Sequence, residues 1–340
     1  MSRESRNRSL RELMESRGVG ALLLSHPANF AWYTGGADNR VDRGVPAGVA
    51  SVLITENDAY IVTNNIEAPR MREEQTPRME VVKHPWHEDP GRLLRELTGG
   101  AGVGTDGLSE HGRDLSAEIA PLRYVLDREA IEAYRHLGVD TVFAMSEVAE
   151  SLSPETDELE AAADLSAACL KRGMFTPVLL AASPEQLVRY RHPTPHGGPL
   201  GKQAMHVACA ERSGRFANLT RMIYFDDPDP GTVRRQRACE EILRLMREEA
   251  TREGRPLAQA FDDCHRFYAE AGFPEGWRYH HQGGMTGYVS CEIIANPSTQ
   301  QEIKEGQAFA WNPSLQGAKA EETFILGPNG PEILTHSPSV

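Results

Sequence analysis

Hydrophobic and polar positions along the chain fall into two textures. Over the first 125 residues, short apolar runs alternate with helical or turn-like segments. Leu10, Leu13 and Met14 lay an apolar stripe along a helix over 8–17, and Ala21–Leu24 reads as a strand. Further strands are predicted at Val49–Thr55 and Tyr60–Thr63, with the turn-like segment 56–59 between them. A helix over 91–97 follows, then a turn over Gly99–Gly107 leading into another short strand. Strands interleaved with helices imply a small α/β domain over 1–125.

From Asp127 the pattern changes. Ile131, Tyr134, Val142, Met145 and Val148 recur at helical spacing over 127–151. Ser153-Pro154 interrupts them, and Thr156 is placed to cap a second helix running to about Arg172. Two longer helical segments follow at 232–253 and 256–271, the latter closed by Gly272 with Pro274 just beyond. Strand-like runs lie at Thr176–Ala182, Ala204–Glu211, Leu219–Phe225, Ala308–Asn312, Thr323–Leu326 and Glu332–Thr335. Paired helices against short, mostly hairpin-connected strands predict an α+β domain over 126–340.

Charge narrows the partners. With 36 basic against 49 acidic residues the net charge is −13, which disfavours nucleic acid or an anionic membrane as the main partner. No run approaches the ~20 apolar residues of a membrane span. The N-terminus is charged without an apolar core, so no secretory leader is expected and a cytoplasmic protein is. Five cysteines, odd in number and widely spaced, argue against a disulfide framework or zinc ribbon. Of these, Cys209 and Cys291 lie near the clusters described next.

Four segments of the second half gather polar and ring-nitrogen side chains beside glycines: RYRHPTPHGG (189–198), ERSGRFANLTR (211–221), YHHQGGMTGY (279–288) and WNPSLQGAKAEET (311–323). Each alone reads as a turn. Together, on separate strand ends, they can converge on one pocket.

In order and spacing these segments resemble those that build the active site of the pita-bread superfamily of creatinase, prolidase and aminopeptidase P. The N-terminal segment GVGALLLSHPANFAWYTG (18–35) is similar to that superfamily's strand followed by an Asn-x-x-Tyr-x-Thr-Gly turn, with Trp32 in place of the tyrosine. The resemblance implies a pita-bread C-terminal domain preceded by a smaller, creatinase-like N-terminal α/β domain. It also implies a dinuclear metal centre held by two Asp, one His and two Glu. Carboxylates are needed because two divalent ions roughly 3.5–4 Å apart require anionic bridges.

Those ligands carry over poorly. The last glutamate falls on Glu321, the second aspartate on Asn218, the first on Val207 (or, one residue on, Ala208), and the other glutamate on Asn312. The ligand histidine falls on His281 or, in a second register, on Gly284 with Glu292 further on. His280 could add a ligand only if it and His281 share a face, which adjacent strand residues do not. Of the remaining groups, the family's proton-shuttling histidine matches His192 better than His196. The second shuttle histidine falls on Tyr288 or Cys291, and an arginine position on Lys319.

The expectation is therefore a metal-independent, creatinase-like hydrolase or lyase without a cofactor, acting on a small nitrogen-containing, amino-acid-derived substrate. His192, His281, Tyr288 and Glu321 would supply acid–base chemistry, while Asn218, Arg221, Asn312 and Lys319 would bind substrate. In a homodimer, Arg40 and Arg43 would reach a substrate carboxylate across the interface. One alternative is a non-catalytic pita-bread binding module. Another is a weak mononuclear metallopeptidase of the Xaa-Pro type, with His281 and Glu321 as its ligands.

Overall fold

The computed structural model describes residues 3–336, and the chain divides into two compact units between Tyr124 and Val125. In the first unit, Leu10 and Met14 are buried along the helix Arg3–Arg17. Strand β1 (Ala21–Leu24) is buried at all four positions because it is central in its sheet. Around it lie β2 (Ala50–Thr55), β3 (Ala59–Asn64), β4 (Glu80–His84), β5 (Val103–Thr105) and β6 (Arg113–Asp114), in the order β4-β3-β2-β1-β5-β6. The β1–β2 and β2–β3 pairs are antiparallel and the others parallel. Residues Pro27–Thr34 are a helix, not the turn expected: the His26 ring accepts from the Ala28 N–H at its start, and Gly35, at φ 86°, ends it. Six of its eight residues are buried, so it shows no amphipathic stripe.

The second unit opens on the helix Arg128–Ser151, capped by Asp127, whose carboxylate accepts from the Ala130 N–H at 2.8 Å. Asp127→Ala should lower stability by about 1 kcal/mol. Asp127→Asn should keep most of it, as urea denaturation of the two variants would show. The helix Glu158–Lys171 is capped by Asp157 rather than Thr156, whose hydroxyl is taken by the Ser153 N–H.

Three antiparallel strands follow in the order of the chain: β7 (Phe175–Ala182), β8 (Gln203–Arg212) and β9 (Arg215–Tyr224). Ser213 and Gly214, at φ 54° and 77°, turn β8 into β9 and fix the pairing Cys209↔Asn218. Beyond the helices Pro230–Leu245 and Leu257–Glu270 comes a second antiparallel sheet. It consists of β10 (Gly283–Thr286), β11 (Ile293–Ile294), β12 (Ala308–Trp311), β15 (Glu322–Gly327) and β16 (Gly330–Ile333), in the order β11-β10-β12-β15-β16. A small hairpin, β13 (Ser314–Leu315) and β14 (Ala318–Lys319), separates β12 from β15. The two larger sheets meet at an isolated bridge, Thr220↔Glu321. Among the described residues no helix is long and apolar enough to cross a membrane.

Candidate active site

Strand alternation builds one wall of a cavity of about 370 Å³ at that junction. Pairing sets Val178, Cys209 and Asn218 in one row across β7–β9, and Leu180 and Val207 in the next, all toward the cavity. Gly283 and Gly284 of β10 and Ala310 of β12 form the facing wall, with Asn312, Lys319 and Glu321 at its end. His192, from the loop after the short helix Pro184–Arg189, and His281 close a side.

The deepest polar feature is an ion pair. Lys319 Nζ lies 3.0 Å from Glu321 Oε2, and both residues are nearly inaccessible, at 4% and 7% exposure. The same oxygen accepts from Thr220 Oγ1 at 2.7 Å, and Oε1 accepts from Asn312 Nδ2 at 3.5 Å. Burial alone would raise the Glu321 carboxyl. Lys319 and the three hydrogen bonds outweigh it and hold the group below its ordinary range. The pair is therefore an interior element, not one facing solvent.

Asn218 donates to Thr286 Oγ1 and the Ser290 carbonyl, while its Oδ1 is buried without a partner. Asn312 Oδ1 is likewise buried and unpartnered. Two amide oxygens thus stand as unused acceptors where the resemblance expects carboxylates.

Three imidazoles cluster beside them. His192 Nε2 and His280 Nε2 are 2.8 Å apart, and the His280 and His281 rings stack with centroids 4.5 Å apart. His280 and His281 therefore do share a side, against the expectation from strand alternation. They precede β10, following a short 3₁₀ turn (Gly276–Tyr279), so the pleat does not govern them. Gln282 Nε2, which donates to the Trp277 and His280 carbonyls, fixes that bend. Burial lowers all three and Lys319 adds to it at each, with the neighbouring rings contributing at His280 and His281. His280, the most enclosed of the three, is pushed down to about 2.

Several expected site residues lie elsewhere. Tyr288 is buried outside the cavity lining, its ring beneath the Arg215 guanidinium at 5.4 Å. Arg221 stands three residues from Asn218 and so points to the opposite face of β9, where it donates to Ser146 Oγ. Arg40 and Arg43 both pair with Asp38 in the N-terminal unit. Cys209 and Cys291 line the cavity, but burial raises both thiols above their ordinary value, which keeps them protonated at neutral pH. A wider depression of about 500 Å³ lies on the N-terminal unit, bordered by Ser25, His84 and His111, and contains none of the four clusters.

Position 284 cannot supply a ligand: a Cβ there would lie 2.3 Å from the Ile293 carbonyl oxygen. Val207 has no donor atom, Asn218 and Asn312 are neutral, and Glu321 is engaged by Lys319, Thr220 and Asn312. This donor set does not fit two divalent ions, and Glu321 is not free to share one with His281.

Two paired sheets with this junction, following an N-terminal α/β unit in the chain, define a creatinase-type two-domain protein with a pita-bread C-terminal half. Residues 6–119 match the family model described as Creatinase/Prolidase N-terminal domain, and residues 132–328 match Metallopeptidase family M24. The chain belongs to metallopeptidase family M24, a family of hydrolases. No protein of curated function matches it.

Among solved structures, the prolidase from Pyrococcus horikoshii OT3 is similar with a TM-score of 0.81 at 16% identity, over 98% of this chain and 99% of that one. The Xaa-Pro dipeptidase from Bacillus anthracis gives 0.81 at 16%, over 100% and 99%. The dipeptidase PepE from Mycobacterium ulcerans gives 0.79 at 18%, over 99% and 96%. At such identities these likenesses establish the shared fold.

Membership of a metallopeptidase family overturns the expectation of metal-independent catalysis. Neutral residues at positions 207, 218 and 312 remove inherited ligands, which does not by itself exclude a metal held by other side chains.

Proposed function

We propose that this chain is a hydrolase that uses one divalent ion to open the amide bond of a small Xaa-Pro-type peptide. The observation that carries the proposal is the M24 match over 132–328, which spans the whole cavity. The similar structures are named as a prolidase and an Xaa-Pro dipeptidase, which agrees with it. When bound, a single ion supplies Lewis-acid polarisation of a carbonyl and a bound water of lowered pKa.

The chain's own groups bind and orient. Val178, Leu180, Val207 and Met285 give the cavity an apolar wall suited to a pyrrolidine ring or a small aliphatic side chain. Asn218 Oδ1 and Asn312 Oδ1 accept hydrogen bonds from the substrate's amino group, satisfying acceptors that are otherwise buried unpaired. The Lys319–Glu321 pair holds Asn312 in position for this.

A cytoplasmic homodimer, with Arg40 and Arg43 near a neighbouring subunit's cavity, completes the proposal. Sedimentation would test the dimer, and a monomer at micromolar concentration would remove that element.

Protein stripped with a chelator should not hydrolyse Xaa-Pro dipeptides, and added manganese, cobalt or zinc should restore turnover by on the order of 100-fold or more. Dipeptides without proline should be poorer substrates. Turnover indifferent to the chelator would contradict the proposal. No turnover with any of the three metals would leave the non-catalytic binding module in its place.

A further inference from the structure

We propose that His192, His280 and His281 form a three-histidine site for one zinc-class divalent ion, separate from the inherited carboxylate positions. One ring nitrogen of each lies within 4.8 Å of those of the other two. Tetrahedral zinc, with Zn–N bonds of about 2.0–2.1 Å, sets its ligand nitrogens about 3.3 Å apart. The 2.8 Å between His192 and His280 is shorter than that spacing and the 4.8 Å limit for the three nitrogens is longer, so the observed separations bracket it and ring rotation would bring the three to an ion.

A purely hydrogen-bonded cluster accounts less well for the arrangement. The ring-to-ring bond uses Nε2 of both His192 and His280, while Nδ1 of His281 is buried without a partner and His280 is only 8% exposed. Three imidazoles gathered at a cavity wall with one ring-to-ring hydrogen bond among them leave donor capacity unused. The neighbouring ammonium of Lys319 is matched by Glu321 at 3.0 Å, so it adds little repulsion toward a cation.

Neutral nitrogen ligands select zinc, cobalt, nickel or copper over magnesium or calcium. His192 and His281 line the cavity, so the fourth coordination position opens toward it, the pattern of catalytic zinc sites. The assignment deepens the one-metal hydrolase proposal and rests on it for the ion's use, while binding itself can be measured independently.

The test is cobalt(II) titration of chelator-stripped, tag-free protein, followed by its visible spectrum, with zinc(II) then displacing the cobalt. One equivalent should bind with the intense bands of four-coordinate cobalt. His192→Ala, in an exposed loop and therefore safe for folding, should weaken binding by about 100-fold or more, since even outer-shell losses cost 10–100-fold. His280→Gln should do the same, with its fold checked by circular dichroism. Asn312→Ala, at an inherited ligand position, should bind within about threefold of the parent.

No stoichiometric binding, six-coordinate cobalt spectra, or affinity unchanged by His192→Ala would each overturn the site. Cobalt bound as described without peptide hydrolysis would keep the site and remove the hydrolase proposal. Metal-dependent hydrolysis indifferent to His192→Ala would keep the hydrolase and overturn the site.

Discussion

Lys319→Met should lower stability by about 3–5 kcal/mol at pH 7, because it leaves the Glu321 carboxylate buried without its counter-ion. Thr220 and Asn312 would still donate to it, but hydrogen bonds alone do not offset the desolvation of a full charge. The double variant Lys319→Met/Glu321→Gln should recover most of the loss, since what is costly is the unmatched charge rather than the missing methylene–ammonium chain.

The pH dependence has a defined sign. In the parent protein the Glu321 carboxyl is held below 4.5, its ordinary value. Its contribution is therefore fully present above that value and is lost as pH falls through the lower folded-state value. In Lys319→Met the same carboxyl is raised by burial, so its penalty is largest at neutral pH and is relieved on acidification. Urea denaturation at pH 7 and pH 4 should show the gap between parent and variant narrowing at the lower pH. A gap that stays constant would place the cost in packing rather than in charge.

Gly284→Ala should cost about 2–4 kcal/mol, and Gly284→His should cost at least as much while restoring no metal ligand. Gly284 sits at φ 149°, and an added Cβ would meet the Ile293 carbonyl oxygen at 2.3 Å and the Ala295 nitrogen at 2.9 Å. Both are backbone atoms where β10 pairs with β11, so neither can swing aside as a side-chain tip would. If Gly284→His folded normally, the β10–β11 approach would be looser than described, and a histidine ligand could be accommodated there. Thermal melts of the two variants separate these outcomes.

The sequence made the strands legible wherever one face is apolar and the other is not, or where a run is wholly apolar. Ala21–Leu24 was located to the residue. Strand β4 was not, because it is an edge strand whose five residues are at best half-buried. The helix Pro27–Thr34 was missed for the opposite reason: burial on nearly all sides erases its period.

At the site, Lys319 ends β14 and Glu321 lies just before β15, so their meeting in one ion pair is a finding of the structure rather than of strand alternation. Asn218 and Arg221, three apart on one strand, could have been separated by the same rule, which also sends Arg221 toward the helix Arg128–Ser151. The rule does not hold at His280 and His281, which lie outside a strand. Nothing in a one-dimensional pattern reveals that Gln282 bends the backbone there and brings both rings to His192.

The most direct test of the account is the number of metal ions needed for full activity. Stripped protein would be titrated with manganese, cobalt or zinc while Xaa-Pro dipeptide hydrolysis is followed and bound metal is quantified by elemental analysis. The account predicts activity rising linearly and levelling at one ion per chain. A plateau at two ions would mean that a dinuclear centre forms despite Val207, Asn218 and Asn312, and hydrolysis undiminished in stripped protein would contradict a metal-dependent reaction.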